Sequence, residues 1–483
     1  MGDIETKEFT KGTNQLVIAQ MVFLLSGYVI HLVLGRYFGP ETYGTYGVVL
    51  SLMTTINLLL IVGFPQGASK YIAAGSAIGS IIRQSTKIQT IFAIVIFAAY
   101  LGLAGVVADA LNDPSLAPYI RISAFVVPVY ALYCMYNNGY LNGLRRFDKQ
   151  AKTLIISSVV KMGAVFALVF LGLGVNGAIF GYLAAAIVGL FLAWRYLGTV
   201  ARSAASFDLK KLLKFGIPAT ILSVSIFLLI NIDLFMVKAI LQDNVSTGYY
   251  TSAGMLAKIP YYIFTGLSLI VLPSISRSVA INDVAMLRSY IRQAMRHMLI
   301  LLLPLVLVIS ATSSELISLV YSSAYIDAAR PLSLLIVGLG LLSIFLMLTN
   351  IIMGSGKPKI AMLLGLLMVP LDVGLNLWLI PHHGLMGAAI ATTATVACGA
   401  LVALAYVLLK FRTLGSMKSF VRIGVTSGAI YGIVLQFSID PVFLPLLYIT
   451  LAAVYLGALF LTGEASRNDL EALKSILPTK LGK

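Results

Sequence analysis

LGLGVNGAIFGYL (Leu171–Leu183) and PHHGLMGAAIATT (Pro381–Thr393) read as one element written twice. Each is a short glycine-bearing turn between two long apolar runs. Each enters its second run on a Gly-Ala pair, and Gly177 and Gly387 lie 210 positions apart. Working outward, NGYLNGLRRF (Asn138–Phe147) pairs with NIIMGSGKPK (Asn350–Lys359); both run from Asn through Gly to basic residues. Gly143 and Gly354 lie 211 positions apart. GRYFGPETYGTYG (Gly35–Gly47) pairs with AILQDNVSTGYYTSA (Ala239–Ala253). Matched turns at one spacing mark an internal repeat, the strongest single clue to architecture.

The runs between these turns are membrane spans. The 483 residues are 59% hydrophobic and 11% charged, with mean hydropathy +0.96. A soluble domain carries about 25% charged residues, so this chain has too little polar surface to cover itself in water. Apolar stretches fall at 14–38, 43–63, 84–107, 122–141, 153–172, 177–196, 215–239, 247–272, 298–319, 331–353, 360–379, 384–409, 420–436 and 442–461. These are about fourteen spans of roughly 20 residues each, far longer than barrel strands. Of the 34 lysines and arginines, Arg36, Arg121, Lys238 and Arg330 fall on the outer side if the N-terminus is cytoplasmic. Lys161 and Lys258 fall inside spans, and all the others fall on the inner side. This is a positive-inside pattern with both termini cytoplasmic. It disperses the net charge of +16 over many inner segments, leaving no nucleic-acid-binding patch.

Spans one to six thus recur as seven to twelve, inserted the same way up. The expectation is an all-α polytopic membrane protein with two six-helix lobes, 1–200 and 201–413, related by a parallel pseudo-two-fold axis. Two additional spans occupy 414–463, and 464–483 reads as a short cytoplasmic helix. The flank Met1–Gly12 is mixed in charge and leads into a first span that stays, not a cleaved leader. Cys134 and Cys398 sit in apolar runs without metal or redox spacing. No G-x-x-x-x-G-K-[ST] phosphate loop occurs. No loop is large enough to be a catalytic domain, so the chain is read as a non-enzyme with no resident cofactor.

Ionisable groups inside spans mark function by default. Asp233 lies about 10 Å from the outer end of span seven, Asp372 and Asn376 about 13 and 7 Å from that of span eleven, and Thr392 about 12 Å into span twelve. Asp372 and Asn376 are four residues apart and share a helix face. Two carboxylates, an amide oxygen and a hydroxyl form a hard-oxygen set suited to sodium or to a shared proton. The alternative is structural pairing of Asp233 with Asn231 or Lys258. Lys258 precedes Pro260 near mid-membrane, where the helix can break. Lys258, Lys161, His31 and Arg36 are the cations available to an anionic headgroup. Each has a plainer role open: pairing with Asp233 for Lys258, reaching the interface for Lys161, packing for His31, interfacial anchoring for Arg36. Tyr28, Tyr130, Tyr133, Tyr136 and Tyr140 either stack on sugars or serve packing. Asn244-Val245-Ser246 is a glycosylation sequon carrying little weight.

The segments GFPQGASKYIA (Gly63–Ala73), FGIP (Phe215–Pro218), NID (Asn231–Asp233), GYYTSA (Gly248–Ala253), VLPSISR (Val271–Arg277) and NLWLIPHHGLMGAAIATT (Asn376–Thr393) extend the pattern over almost the whole chain. In order and spacing it resembles the polysaccharide-transport, Wzx-like branch of the multidrug/oligosaccharidyl-lipid/polysaccharide exporter superfamily. The resemblance implies a flippase for a lipid-linked oligosaccharide on a polyprenyl or dolichyl phosphate carrier, working in the cell membrane beside glycosyltransferases. Lipid II flippases of that superfamily place an acid in span seven, an Asn/Asp pair in span eleven and a Thr in span twelve around a sodium ion. Here the span-eleven pair is reversed, Asp372 before Asn376. The alternative is a cation-coupled multidrug exporter. Several of those carry an acid in span one, whereas this chain has no Asp or Glu between Lys11 and Arg36.

Overall fold

The computed structural model describes residues 2–61, 63–75, 78–199, 209–437 and 439–464. The helices in chain order are α1 (Gly2–Ile61), α2 (Gly63–Ala73), α3 (Ile78–Gly102), α4 (Ala104–Ala110), α5 (Leu116–Ala124), α6 (Val126–Cys134), α7 (Phe147–Leu168) and α8 (Gly174–Leu197). They continue as α9 (Leu209–Leu241), α10 (Asn244–Ala257), α11 (Ile259–Ala280), α12 (Val284–Ala311), α13 (Ser313–Val320), α14 (Ala329–Gly354), α15 (Pro358–Phe411), α16 (Met417–Val434) and α17 (Leu444–Leu461). No strand occurs among the described residues.

Nine stretches among the described residues are long and apolar enough to cross a bilayer. Three of them, Asn14–Ala73, Phe147–Leu197 and Pro358–Phe411, hold 60, 51 and 54 residues. At 1.5 Å per residue each is over twice the ~30 Å hydrocarbon layer. Each breaks in its middle: at Gly39 ahead of Pro40, at Gly172–Gly174, and at Gly384. Each therefore carries two spans. The α10–α11 pair, interrupted at Lys258, and α16 complete the fourteen expected from the sequence.

The repeat is visible in backbone geometry. Gly174 has φ 52°, ψ −135° and Gly384 has φ 55°, ψ −134°. Both angle pairs belong to a region open essentially only to glycine. Past each break a second glycine lets the next helix lie on the previous backbone. A Cβ on Gly177 would stand 2.8 Å from the carbonyl carbon of Leu168, and one on Gly387 would stand 2.2 Å from the carbonyl oxygen of Leu379. The paired turns singled out in the sequence thus fold alike.

Contacts divide the chain into two units. The first comprises Met1–Asn231 with Lys238–Gly248; the second comprises Ile232–Val237 with Tyr249–Lys483. The dividing line runs through α9, and the stretch near residue 200 that the sequence marks as the lobe boundary lies among 200–208, outside the described residues.

Inside the first unit, Ala68, Ile72, Ile81, Met135, Tyr140 and Leu197 form one core cluster. Gln89 donates to the carbonyls of both Leu60 and Ala131, at 2.9 and 3.2 Å. Arg146 donates to the carbonyls of Tyr196 and Leu197, closing the C-terminus of α8. Lys238, expected at an outer surface, is 1% exposed and pairs with Asp113 at 2.6 Å and with the Asn244 side chain. The Asn244 side-chain oxygen is therefore an internal partner at the start of α10.

Partial burial pushes the Asp113 carboxyl up, but hydrogen bonds from Lys238 and Ser115 outweigh it and hold the group below 3.8. A carboxyl held low stabilises the folded state above its unfolded value and loses that contribution as pH falls through its folded value. The Asp113 contribution is thus expected to persist at neutral pH and to vanish only below about pH 4. Asp113→Ala strands the Lys238 ammonium and should cost about 3 kcal/mol. Thermal unfolding of both proteins between pH 3 and 7 measures it: the gap is wide at pH 7 and narrows in acid.

In the second unit α16 and α17 stand outside the repeat and pack on α12 through Ile300, Val308, Ile423, Ile430, Tyr455 and Leu459. Glu464 accepts from Arg296 Nε at 2.8 Å and from Ser419, fixing the end of α17. The tail helix expected beyond it lies outside the described residues. Leu409 and Leu461 are more than 80% exposed, as lipid-facing side chains are.

Candidate functional site

The break at Gly384 sets the second half of α15 against the first. It brings Asp372 and Asn376 toward Thr392 and Thr395, and α9 and α10 add Asp233 and Tyr250. All six are buried: Asp372 is 1% exposed, and Asn376 and Thr395 are 0%. Asp233 is well supplied with donors. Its Oδ2 accepts from the Tyr250 hydroxyl at 2.6 Å and from Thr392 at 3.3 Å, and its Oδ1 accepts the Leu234 N–H at 2.8 Å. Lys258, at the α10–α11 break, acts on it electrostatically.

Asp372 is the opposite case. Both its carboxylate oxygens are sealed from solvent without a hydrogen-bond donor, as are Asn376 Oδ1 and Thr395 Oγ1. The Asn376 amide nitrogen is spent on the Asp372 carbonyl at 2.9 Å. Thr395 lies beside Asp372 too loosely to bond it. Asp233 adds its own negative charge nearby. A buried carboxylate without donors costs several kcal/mol, and buried polar atoms in native proteins nearly always find partners. Four buried oxygens without a hydrogen-bond partner, two of them on one carboxylate, call for a positive centre. A small monovalent cation held by carboxylate, amide and hydroxyl oxygens fits them, and so does a proton on Asp372. No three of His, Cys, Asp and Glu come together among the described residues, so the donor set does not suit a zinc or iron centre.

Asp233, Asp372, Asn376 and Thr392, chosen from the sequence, are thus brought together. Tyr250 and Thr395 were missed there. Thr395 stands one helical turn beyond Thr392 on the same face, a signal that was available. Tyr250 lies within the repeated GYYTSA turn, with nothing local to mark it as a donor to Asp233.

The cations of the first unit are arranged differently. Lys161 on α7 is 6% exposed and points its ammonium at the Phe23 ring, 4.5 Å from the centroid, and at Tyr182, 5.7 Å away. His31 Nδ1 shares a 2.8 Å hydrogen bond with the Tyr43 hydroxyl, and its ring lies 5.5 Å from that of Tyr46. Arg36 is exposed at the end of its span. Of the tyrosines, Tyr133 bonds Ser157, and Tyr140 bonds Ser85 and Thr86, in packing roles.

The chain is similar to known proteins in sequence and in fold. Residues 9–279 match the family described as polysaccharide biosynthesis protein. An uncharacterised membrane protein of Methanocaldococcus jannaschii is 22% identical over 405 residues, covering 76% of this chain and 90% of that one. A probable low-salt glycan biosynthesis flippase of Haloferax volcanii is 23% identical over 257 residues, covering 53% of this chain and about half, 54%, of that one. Among solved structures, the lipid II flippase MurJ in an inward closed conformation superposes with a TM-score of 0.75 at 16% identity, over 92% of this chain and 97% of that one. An inward-facing multidrug resistance MATE transporter superposes with a TM-score of 0.68 at 17% identity, over 83% and 98%. The chain thus shares the fold of these two solved transport proteins.

Proposed function

This chain belongs to the polysaccharide biosynthesis protein family, and we propose from that premise that it is an alternating-access flippase. It is a multi-pass membrane protein, and related proteins are flippases and transporters, not enzymes. Its cargo is a lipid-linked oligosaccharide on a polyprenyl or dolichyl phosphate. It moves the headgroup from the cytoplasmic to the outer leaflet of the cell membrane while the lipid tail stays in the bilayer, and it works beside the glycosyltransferases that build the glycan. The distribution of basic residues supports cytoplasmic termini.

The observation that carries a coupled mechanism is the donor-free oxygen set at Asp372, Asn376 and Thr395, facing Asp233 inside a membrane-spanning unit. A sodium ion or proton bound there supplies the positive charge these acceptors lack. Asp372 and Asn376 hold it from one helix, and Thr392 and Thr395 stand across from them. Tyr250 and Thr392 orient Asp233, and Lys258 tempers its charge. Such a site biases the cycle only if it binds the cation more tightly in one state than in the other.

The test is leaflet transfer in proteoliposomes carrying a fluorescent polyprenyl-phosphate disaccharide, read by loss of the label to a membrane-impermeant reductant. Transfer by the wild type, absent from empty vesicles, is the expected result. Resistance of a drug-sensitive host to cationic dyes, without any leaflet transfer, would replace this reading with drug export.

A further inference from the structure

The stretch Lys238–Gly248 belongs to the first unit, yet the chain on either side of it, Ile232–Val237 and Tyr249 onward, belongs to the second. It holds the end of α9, the turn at Gln242 and Asp243, and the start of α10. The first unit grips it at two places. At the α4–α5 turn, Asn112 donates to the Ala239 carbonyl at 2.7 Å, and Asp113 pairs with Lys238 at 2.6 Å. The last carbonyls of a helix have no partner within it, and Asn112 fills one of them. The second grip is backbone against backbone. A Cβ on Gly44 would overlap the Asn244 carbonyl oxygen, and a Cβ on Gly248 would overlap the Pro40 carbonyl oxygen.

The second grip carries the symmetry of the repeat. Asn244 and Gly248 each stand 204 positions after Pro40 and Gly44, in the paired turns. Exchanging the two copies therefore turns this contact into itself, as at an isologous interface. Glycine lets the two backbones meet, but such a contact lacks the apolar side-chain burial that holds helices together permanently. The grips also face a mechanical demand. From Ala219 to its end at Leu241, α9 has no glycine or proline, and sharp helix bends arise at such residues. When the second unit moves and the first does not, α9 carries the motion into Lys238, and the segment has to leave its grips.

Resting on the alternating-access reading above, we propose that 238–248 is a releasable clasp, held on the first unit by Asn112, Asp113 and the Gly44–Gly248 contact and set free in each transport cycle. The Asp113–Lys238 pair sets how readily it lets go, because Lys238 is 1% exposed and parting the pair strands a buried charge. Glycine at both 44 and 248 is a condition of closure, since a methyl group at either place meets backbone that no rotamer change can move.

The experiment is alkylation of the full-length protein in proteoliposomes with a membrane-impermeant maleimide, read by mass spectrometry. The background carries Cys398→Ala, which removes the exposed thiol, and Thr247→Cys, which places one on the segment at a position now 0% exposed. Cys134, 1% exposed within α6, stays as the reporter of unfolding. The thiol at 247 should react slowly and Cys134 should not react. Asp113→Asn and Gly248→Ala should each speed the reaction at 247 at least roughly tenfold with Cys134 still protected. Asp109→Asn, which changes an exposed acid one turn away, should leave the rate unchanged. Reaction at 247 only together with Cys134 overturns the clasp, because the segment then leaves only when the unit unfolds; so does a rate that neither Asp113→Asn nor Gly248→Ala alters. A second measurement does not depend on Thr247→Cys. In Asp113→Cys/Lys238→Cys, a bifunctional thiosulfonate bridging the two thiols should stop leaflet transfer, and reduction should restore it. Undiminished transfer by the bridged protein overturns the proposal. A wild type that transfers nothing, with the alkylation pattern as expected, removes the flippase reading and upholds the clasp.

Discussion

Asp372→Asn should slow leaflet transfer by at least about a hundredfold while raising thermal stability in cation-free buffer. The two effects have one cause. The Asp372 carboxylate is buried beside a second negative group with no donor on either oxygen. Replacing it by a neutral isostere removes an uncompensated charge, worth about 1–4 kcal/mol to the fold when the cation is absent. The same replacement removes the charge that makes the cation bind, so the cycle loses its bias. Melting curves with and without sodium, across pH, read the first effect: the wild type should gain stability as the cation or proton concentration rises, and the variant should not respond. A purely structural Asp372 would give the reverse, a less stable variant with normal transfer.

Gly387→Ala should be among the most damaging single-methyl additions at the described glycines. Its Cβ would sit 2.2 Å from the Leu379 carbonyl oxygen and 2.5 Å from the Leu379 carbonyl carbon. Those are backbone atoms, so no rotamer change relieves the overlap. The two halves of α15 must separate, at a cost of at least about 3 kcal/mol. That separation pulls Thr392 and Thr395 away from Asp372 and Asn376, so the cation response should weaken with stability. Gly177→Ala makes the equivalent change in the first unit, where the nearest atom is 2.8 Å away. It should cost less and leave the cation response intact. Melting temperatures of the two variants, with and without sodium, separate the outcomes; equal losses at both positions would show that the overlap at Gly387 relaxes without opening α15.

The turns carried most of the fold into the sequence because they depend on glycine at fixed places. Gly174 and Gly384 share a conformation that other residues avoid, and Gly177 and Gly387 share a close approach, so each copy had to keep them. Asp233, Asp372, Asn376 and Thr392 were legible for a related reason: polar groups stand out against apolar spans, and helical spacing places them at matching depth. Pairings across the chain were not legible. Lys238 was counted with the outer-surface cations because hydropathy sees only a charge at the end of a span, whereas its partner Asp113 stands 125 positions earlier. Tyr250 looked like one more interfacial tyrosine until α9 and α10 set its hydroxyl on Asp233.

The coupled-flippase account is tested most directly by leaflet transfer of the fluorescent lipid-linked disaccharide in vesicles with an imposed cation gradient. With sodium or protons higher on the outer side, the account predicts accelerated delivery of headgroup to the outer leaflet, slower delivery when the gradient is reversed, and neither response in Asp372→Asn. Equal rates under both gradients, shared by wild type and variant, would contradict it.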